Sequence, residues 1–129
     1  MIDEVRAANQ AFYDAHEAAS TEAMSVVWEH SDRVVCVHPG WPILRGWPTV
    51  QEAWRQIFAG PHRNQFILTN EAIAVHGDVA WVTVDENLVS IEGGATVAAT
   101  NVFARTDGRW LLVAHHGSTV VYRMTSDDD

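Results

Sequence analysis

Residues 101–118 are NVFARTDGRWLLVAHHGS, two runs of largely β-forming side chains that are joined by the turn sequence Thr106-Asp107-Gly108. A turn of this composition between two such runs predicts an antiparallel hairpin. Two further runs precede it, and each ends at a short turn that contains glycine. The pattern therefore predicts four consecutive antiparallel strands, at 65–76, 79–91, 95–106 and 109–123.

The chain before these strands is predicted to be mostly helical. In its first segment a stripe of largely apolar residues recurs at helical spacing, at Ile2, Val5, Asn9, Phe12, His16 and Ala19. Ser20 is a suitable N-cap for a short second helix that ends near Ser31-Asp32. A strand at 33–38 and a loop follow. Pro48 suits the first turn of a third helix, which Gly60-Pro61 ends.

This order of elements predicts an α+β fold, in which three helices pack on one face of a curved antiparallel sheet. Long strands that coil around helices leave a cone open at one end, and the inner wall of a cone is a natural cavity for a small molecule. The length of 129 residues argues for one domain, at 1–124, followed by a disordered acidic tail at 125–129.

Composition limits the classes of partner. Acidic residues number 17 against 8 basic ones, and this balance argues against nucleic acid and anionic membranes. A single cysteine, Cys36, excludes an internal disulfide. No apolar run approaches the ~20 residues of a transmembrane helix, and the N-terminus is too polar for a signal peptide. We therefore expect a cytoplasmic protein.

Strand alternation places three polar side chains on otherwise apolar faces. His38 shares a face with Cys36, Glu86 lies among alternating apolar residues of its strand, and Asn101 does the same on the next strand. Burial of such groups costs several kcal/mol unless they are paired. Each is therefore a candidate for function, although Glu86 could instead form a buried ion pair with Arg45 or Arg63.

The last strand presents either His115 or His116 to the interior, depending on the turn before it. A three-residue loop would pair Arg105 with Arg109, place Val113 opposite Asn101 and turn His115 inward. A two-residue Asp-Gly turn would pair Thr106 with Arg109 and turn His116 inward instead. The Thr-Asp-Gly sequence favours the first arrangement.

Three segments together resemble a known superfamily: VCVHPGW at 35–41, RGWP at 45–48 and the hairpin at 101–118. With the element order, they make almost the whole chain similar to the nuclear transport factor 2-like superfamily, and nearest to its SnoaL-like and ketosteroid isomerase-like branch. The resemblance implies the cone fold. It also covers diverse functions, from isomerases and dehydratases to the non-catalytic kinase association domain.

The ketosteroid isomerase pattern implies roles for individual residues. His38 occupies the position of the catalytic base, which is an aspartate in that family, and Asn101 occupies the position of an acid that hydrogen-bonds the oxyanion. The tyrosine of the first helix corresponds to Phe12, with Tyr13 out of phase by about 100°.

These observations predict a cofactor-independent acid–base enzyme of the isomerase, dehydratase or cyclase type, acting on a largely apolar small molecule. His38 is the expected base, Glu86 its partner or the acid, and Asn101 with His115 the groups that stabilise oxygen. The expected ligand-binding residues are Phe12, His16, Trp41, Trp54, Phe103 and His116. The alternative is a ligand-binding or assembly module without catalysis, sealed by a Glu86–arginine ion pair.

Two further expectations concern metals and self-association. His38, Glu86 and His115 could in principle form a set of two histidines and one carboxylate, but no H-x-H or H-E-x-x-H spacing supports a metal site, so none is predicted. The outer face of the sheet is too apolar for a free surface, which predicts a homodimer. That face is expected to carry Val79, Trp81, Thr83, Val102 and either Trp110 or Leu112.

Overall fold

A computed structural model describes residues 1–89 and 94–122. It contains three helices, α1 (Ile2–Ala18), α2 (Thr21–Val27) and α3 (Trp47–Ala59), and six strands. The strands are β1 (Val35–Val37), β2 (Leu44–Arg45), β3 (Phe66–His76), β4 (Val79–Leu88), β5 (Ala95–Thr106) and β6 (Arg109–Thr119). The predicted acidic tail and the domain end near residue 124 fall outside the described residues.

One curved sheet holds all six strands, in the order β2-β1-β6-β5-β4-β3. Neighbouring strands are antiparallel except for β1 and β6, which are parallel. The three helices bury their apolar stripes against one face, so the predicted α+β cone is confirmed. Among the described residues, no helix is long and apolar enough to cross a membrane.

The helix boundaries follow local signals, with one exception. The Ser20 hydroxyl accepts a hydrogen bond from the Ala23 amide at 3.0 Å, which confirms the predicted N-cap. Helix α2 ends at Val27, earlier than predicted, because the next residue is extended and bridges to the sheet. Trp28 forms this bridge with Leu112, and the Glu29 amide donates to the Leu112 carbonyl at 3.0 Å. The predicted loop at 39–48 also contains the short strand β2.

The predicted turn before β6 is wrong, although its consequence for His115 holds. Thr106 pairs with Arg109 across a two-residue turn, in which Asp107 and Gly108 both have positive φ. This geometry matches the twist of antiparallel strands. A β-bulge between Val102 and Phe103 then leaves Val113 without a partner on β5. Because Val113 is an extra residue on β6, the pairing beyond it shifts by one position. Asn101 therefore pairs with His115, whereas the predicted three-residue loop would have paired it with Val113.

The outer face of the sheet differs from the prediction at two positions. Val79 and Trp81 are half-exposed there, as expected, but Trp110 and Leu112 are buried on the helix side. Leu112 pairs with the buried Phe103, and the same alternation places Trp110 on that inner face. A groove of about 680 Å³ lies on the outer face and is lined by residues that include Thr83, Asp85, Thr100, Val102, His116 and Ser118.

Candidate functional site

Four strand-borne polar side chains meet inside the cone. His38 follows β1, Glu86 lies on β4, Asn101 on β5 and His115 on β6, and their exposed fractions are 5%, 6%, 0% and 4%. Alternation directs Glu86 and Asn101 inward, because Val84, Ala99 and Phe103 on the same faces of their strands are apolar and buried. The structure thus brings together all four residues that the sequence proposed for catalysis.

Helix α1 contributes Tyr13, which helical spacing predicts to lie about 100° around the helix from Phe12. Asn9, Phe12 and Tyr13 are all buried against the sheet. The apolar face of a surface helix is at least 100° wide, so adjacent residues such as Phe12 and Tyr13 can both face inward. Tyr13 lies four residues after Asn9, and this spacing was the signal that could have identified it. The hydroxyl that α1 contributes to the site is therefore that of Tyr13.

A continuous hydrogen-bond network links these side chains. The Tyr13 hydroxyl donates to Oε2 of Glu86 at 2.6 Å. The Asn101 amide donates to the same hydroxyl at 3.1 Å and to Oδ1 of Asn9 at 2.9 Å. Asn9 in turn donates to Glu71 at 3.4 Å, which carries the network outward.

The network also sets the tautomer of His115. Both N–H groups of the Asn101 amide point at oxygen atoms, so its Oδ1 is left to accept a hydrogen bond. Nδ1 of His115 lies 2.6 Å from that oxygen and must carry the proton. Its Nε2 therefore holds a lone pair, and this nitrogen has no hydrogen-bond partner among the described residues. Asn101 thus holds His115 in the tautomer whose Nε2 accepts a hydrogen bond.

Glu86 is the group that titrates near neutral pH. Burial raises the pKa of its carboxyl to about 7, although the Tyr13 hydrogen bond, which favours the ionised form, lowers it in part. Burial and the nearby Glu86 charge raise the pKa of Tyr13, so its hydroxyl stays protonated as a donor. Oε1 of Glu86 makes no hydrogen bond to any described residue.

The interior histidines are neutral at pH 7. Burial lowers the pKa of His38 and of His16 to about 4. Burial, followed by the charges of His38 and His16, holds the pKa of His115 well below its usual range. Because a lowered pKa disfavours the protonated form, these rings accept hydrogen bonds at neutral pH and carry no charge.

Aromatic rings surround these imidazoles. The His38 ring lies 4.7 Å from the ring of Trp54 and 5.1 Å from that of Trp41, and its Nε2 is 3.5 Å from Sγ of Cys36. The His16 ring lies 5.1 Å from Trp54 and 4.9 Å from Phe66. Phe66, on β3, was not among the predicted ligand-binding residues. The result is an apolar wall around a small set of polar atoms.

The other predicted ligand-binding residues fall in different places. Phe12 packs 4.9 Å from His115 and lies in the site. Phe103 is buried in the core opposite Leu112, whereas His116 lies on the outer face of the sheet. Trp41 is 38% exposed and borders a groove of about 440 Å³ that also contacts Leu44 and α3. The Trp41 ring thus contacts both this groove and the His38 ring.

Two further findings bear on the predicted alternatives. Glu86 forms no ion pair with an arginine in the described part of the chain: Arg45 is exposed, and Arg63 donates to backbone carbonyls of Gly60 and His62. Within residues 1–89 and 94–122, no group of three or more potential ligands is arranged to hold a metal ion.

Known proteins share this fold and sequence. A protein from Streptomyces avermitilis, proposed to be a dehydratase of the nuclear transport factor 2-like family, is 36% identical over 94% of this chain and 97% of its own, with a TM-score of 0.84. A protein from Thiobacillus denitrificans, proposed to be a calcium/calmodulin-dependent protein kinase type II association domain, is 33% identical over 89% of this chain and 94% of its own, with a TM-score of 0.83.

A plant relative and a family profile complete the comparison. The F-box protein SKIP8 of Arabidopsis thaliana is 30% identical over 113 residues, which are 88% of this chain. The chain spans about half the length of this curated relative, 48%. The profile of the SnoaL-like domain matches residues 5–122. The chain therefore belongs to the SnoaL-like family, within the nuclear transport factor 2-like superfamily.

Proposed function

We propose that this protein is a cofactor-independent acid–base enzyme that dehydrates or isomerises a largely apolar carbonyl compound inside the cone. The observation that carries the proposal is the Glu86 carboxyl, which is buried, held by Tyr13 and has a pKa of about 7. A carboxyl with a pKa near the working pH can both accept and donate a proton efficiently. The similarity to a protein proposed to be a dehydratase favours elimination of water.

The proposed reaction needs one mobile proton. The ionised Glu86 takes a proton from the carbon next to the substrate's carbonyl, and the C–H electrons form an enolate. The enolate then collapses to a carbon–carbon double bond as the β-hydroxyl leaves. Glu86 returns the proton to that hydroxyl, so the products are an unsaturated carbonyl compound and water, and the carboxylate is regenerated.

The neutral histidines orient the leaving hydroxyl in this scheme. Nε2 of His115 accepts a hydrogen bond from it, because its Nδ1 is committed to Asn101. His38, whose ring is 6.2 Å from that of His115, is placed to share this task. With a pKa lowered to about 4, His38 is a weaker base than Glu86, so Glu86, and not the predicted His38, transfers the proton. Asn101 is a positioning residue.

Substrate access is proposed to run beside Trp41. The groove of about 440 Å³ is bounded by this ring, Leu44, Pro48 and Ala53. Trp41 lies on the loop after β1, and its ring covers His38. A displacement of this ring would connect the apolar groove with the interior polar atoms.

The test uses proton exchange and dehydration of simple ketones. The protein is incubated with acetophenone in D₂O, and loss of the methyl protons is followed by NMR. β-Hydroxypropiophenone is tested for elimination of water by its ultraviolet absorbance. Glu86→Gln should reduce both rates by about 100-fold or more, whereas the exposed Glu22→Gln should not change them. A Glu86→Gln protein with wild-type rates would contradict the proposal.

A second candidate function is a non-catalytic assembly or ligand-binding module. The similarity to a protein proposed to be a kinase association domain favours it, as does the half-exposed outer sheet face around Trp81. We propose that this face forms a homodimer. The sealing ion pair that this alternative predicts for Glu86 is missing among the described residues. Native mass spectrometry would report both the subunit count and any ligand that is retained on purification.

A further inference from the structure

The interior contains one strong hydrogen-bond donor that nothing in the protein uses. Trp54 is 1% exposed, and its indole Nε1–H is buried without a hydrogen-bond partner. An indole nitrogen can only donate, and a buried donor left unpaired destabilises the fold. Native proteins seldom retain such a group without a reason, and a bound acceptor atom is the most direct one.

Apart from the ring N–H groups of the neutral His38 and His16, the other donors of the site are already committed. The Tyr13 hydroxyl donates to Glu86, both N–H groups of Asn101 are used, and Nδ1–H of His115 donates to Asn101. Of the free atoms of the polar network, Nε2 of His115 only accepts, and Oε1 of Glu86 only accepts in the ionised form that removes the proton. A substrate carbonyl oxygen, which needs a donor, therefore has few places to bind.

Trp54 lies beside the three interior imidazoles. Its ring centroid is 4.7 Å from that of His38, 5.1 Å from that of His16 and 6.4 Å from that of His115. The neighbouring His16 also has a buried ring nitrogen, Nδ1, without a partner; this atom lies near its own backbone carbonyl but makes no well-formed hydrogen bond. Two of the three unpaired buried nitrogens in the described residues are thus on adjacent rings inside the cone.

We propose that Trp54 donates its indole N–H to the carbonyl oxygen of the substrate and stabilises the enolate oxygen when Glu86 removes the adjacent proton. This inference rests on the proposed function, and it narrows the substrate to a compact carbonyl compound whose oxygen lies beside Trp54 and whose acidic C–H lies beside Glu86. A preformed donor of this kind favours the charge that develops in the transition state.

The test compares two probes of nearly the same shape, acetophenone and α-methylstyrene, in which a CH₂ group replaces the carbonyl oxygen. Dissociation constants are measured for the wild-type protein and for Trp54→Phe. The dissociation constant of α-methylstyrene divided by that of acetophenone expresses the preference for the carbonyl. This ratio should fall about five- to tenfold in Trp54→Phe, which is the value of one hydrogen bond. Trp28→Phe is the matched control, because Nε1 of Trp28 is also buried and unpaired but its ring packs on Trp47.

A second measurement needs no variant. The indole N–H signal of Trp54 in a ¹H–¹⁵N spectrum should move downfield with acetophenone and stay in place with α-methylstyrene. The proposal is overturned if both probes move this signal equally or neither moves it, or if Trp54→Phe keeps the wild-type preference. The last result would assign the carbonyl to another donor, such as His38.

The two proposals fail separately. Glu86→Gln should keep the preference for acetophenone and lose proton exchange, because binding of the carbonyl does not depend on the carboxylate. Trp54→Phe should lose the preference and retain slow, Glu86-dependent exchange. Wild-type preference in Trp54→Phe together with loss of exchange in Glu86→Gln would reject the role of Trp54 and leave the proposed function standing.

Discussion

Replacement of Tyr13 by phenylalanine should raise the pKa of Glu86 above its value of about 7. The Tyr13 hydroxyl donates to the carboxylate at 2.6 Å, and this hydrogen bond favours the ionised form. A hydrogen bond to a charged group contributes about 1.5–3 kcal/mol, and about 1.36 kcal/mol corresponds to a change of one unit in pKa. The pKa of Glu86 in the variant should therefore be about 8 or 9.

The same change should alter how folding depends on pH. The folded-state pKa of Glu86 is raised above its usual value of 4.5, so its stabilising effect is complete below pH 4.5 and is lost as pH rises to about 7. In Tyr13→Phe this loss should continue to about pH 8 or 9. The variant also leaves one N–H of Asn101 without its acceptor, which should cost about 1–3 kcal/mol at every pH.

The assay is ¹³C NMR of the glutamate side-chain carboxyls as a function of pH, with Glu86→Gln to identify the signal. Urea unfolding across the same range gives the stability. Tyr122→Phe is a suitable control, because Tyr122 is one of two tyrosines in the chain and is 77% exposed. A pKa of Glu86 that is unchanged or lower in Tyr13→Phe would contradict this prediction, since it would mean that the Tyr13 hydroxyl does not stabilise the carboxylate.

Two further predictions concern stability. Asn101→Ala should reduce the free energy of unfolding by more than about 2 kcal/mol, because it leaves the buried Oδ1 of Asn9 and Nδ1–H of His115 without a partner and removes one hydrogen bond to the Tyr13 hydroxyl. Thr100→Ala, on the exposed face, should change it by about 0.5 kcal/mol or less, as measured by urea unfolding. Wild-type stability should also fall as pH drops from 6.5 toward 4, because the buried histidines have lowered pKa values and the unfolded chain takes up their protons first. Glu86 opposes the three histidines with one proton, so the net difference approaches two protons and the slope near pH 5 should be about 2.7 kcal/mol per pH unit. Equal urea midpoints at pH 7 and pH 5 would contradict the assigned burial.

The inward position of the strand-borne polar residues was predictable because it depends on local alternation. The runs around Glu86 and Asn101 alternate regularly, and the strand bounds 95–106 were matched residue for residue by β5. Period-two alternation is a property of any extended strand, so the sequence contains it. The N-cap at Ser20 and the start of α3 were predictable for the same reason, since each depends on only a few neighbouring residues.

The inward position of His115 was predicted for the wrong reason. The turn at Asp107-Gly108 has two residues, and the bulge at Val113 compensates for the difference. A bulge is set by how the curved sheet packs on the helices, and its position is not encoded in a turn sequence. Tyr13 was missed because one helical wheel cannot define the width of a buried face before the sheet that covers it is known.

The α+β order, the alternation that directs His38, Glu86 and Asn101 inward, and the acidic balance of charge are properties of neighbouring residues or of composition, so they can be predicted from the chain alone. Which groups contact one another depends on the folded arrangement. Glu86 is held by a hydroxyl from a helix 73 residues away, and Trp54 is left with an unpaired donor among three imidazoles. Partners, burial and the resulting pKa values arise only when distant segments exclude water together, and that event cannot be read from any local stretch of the chain.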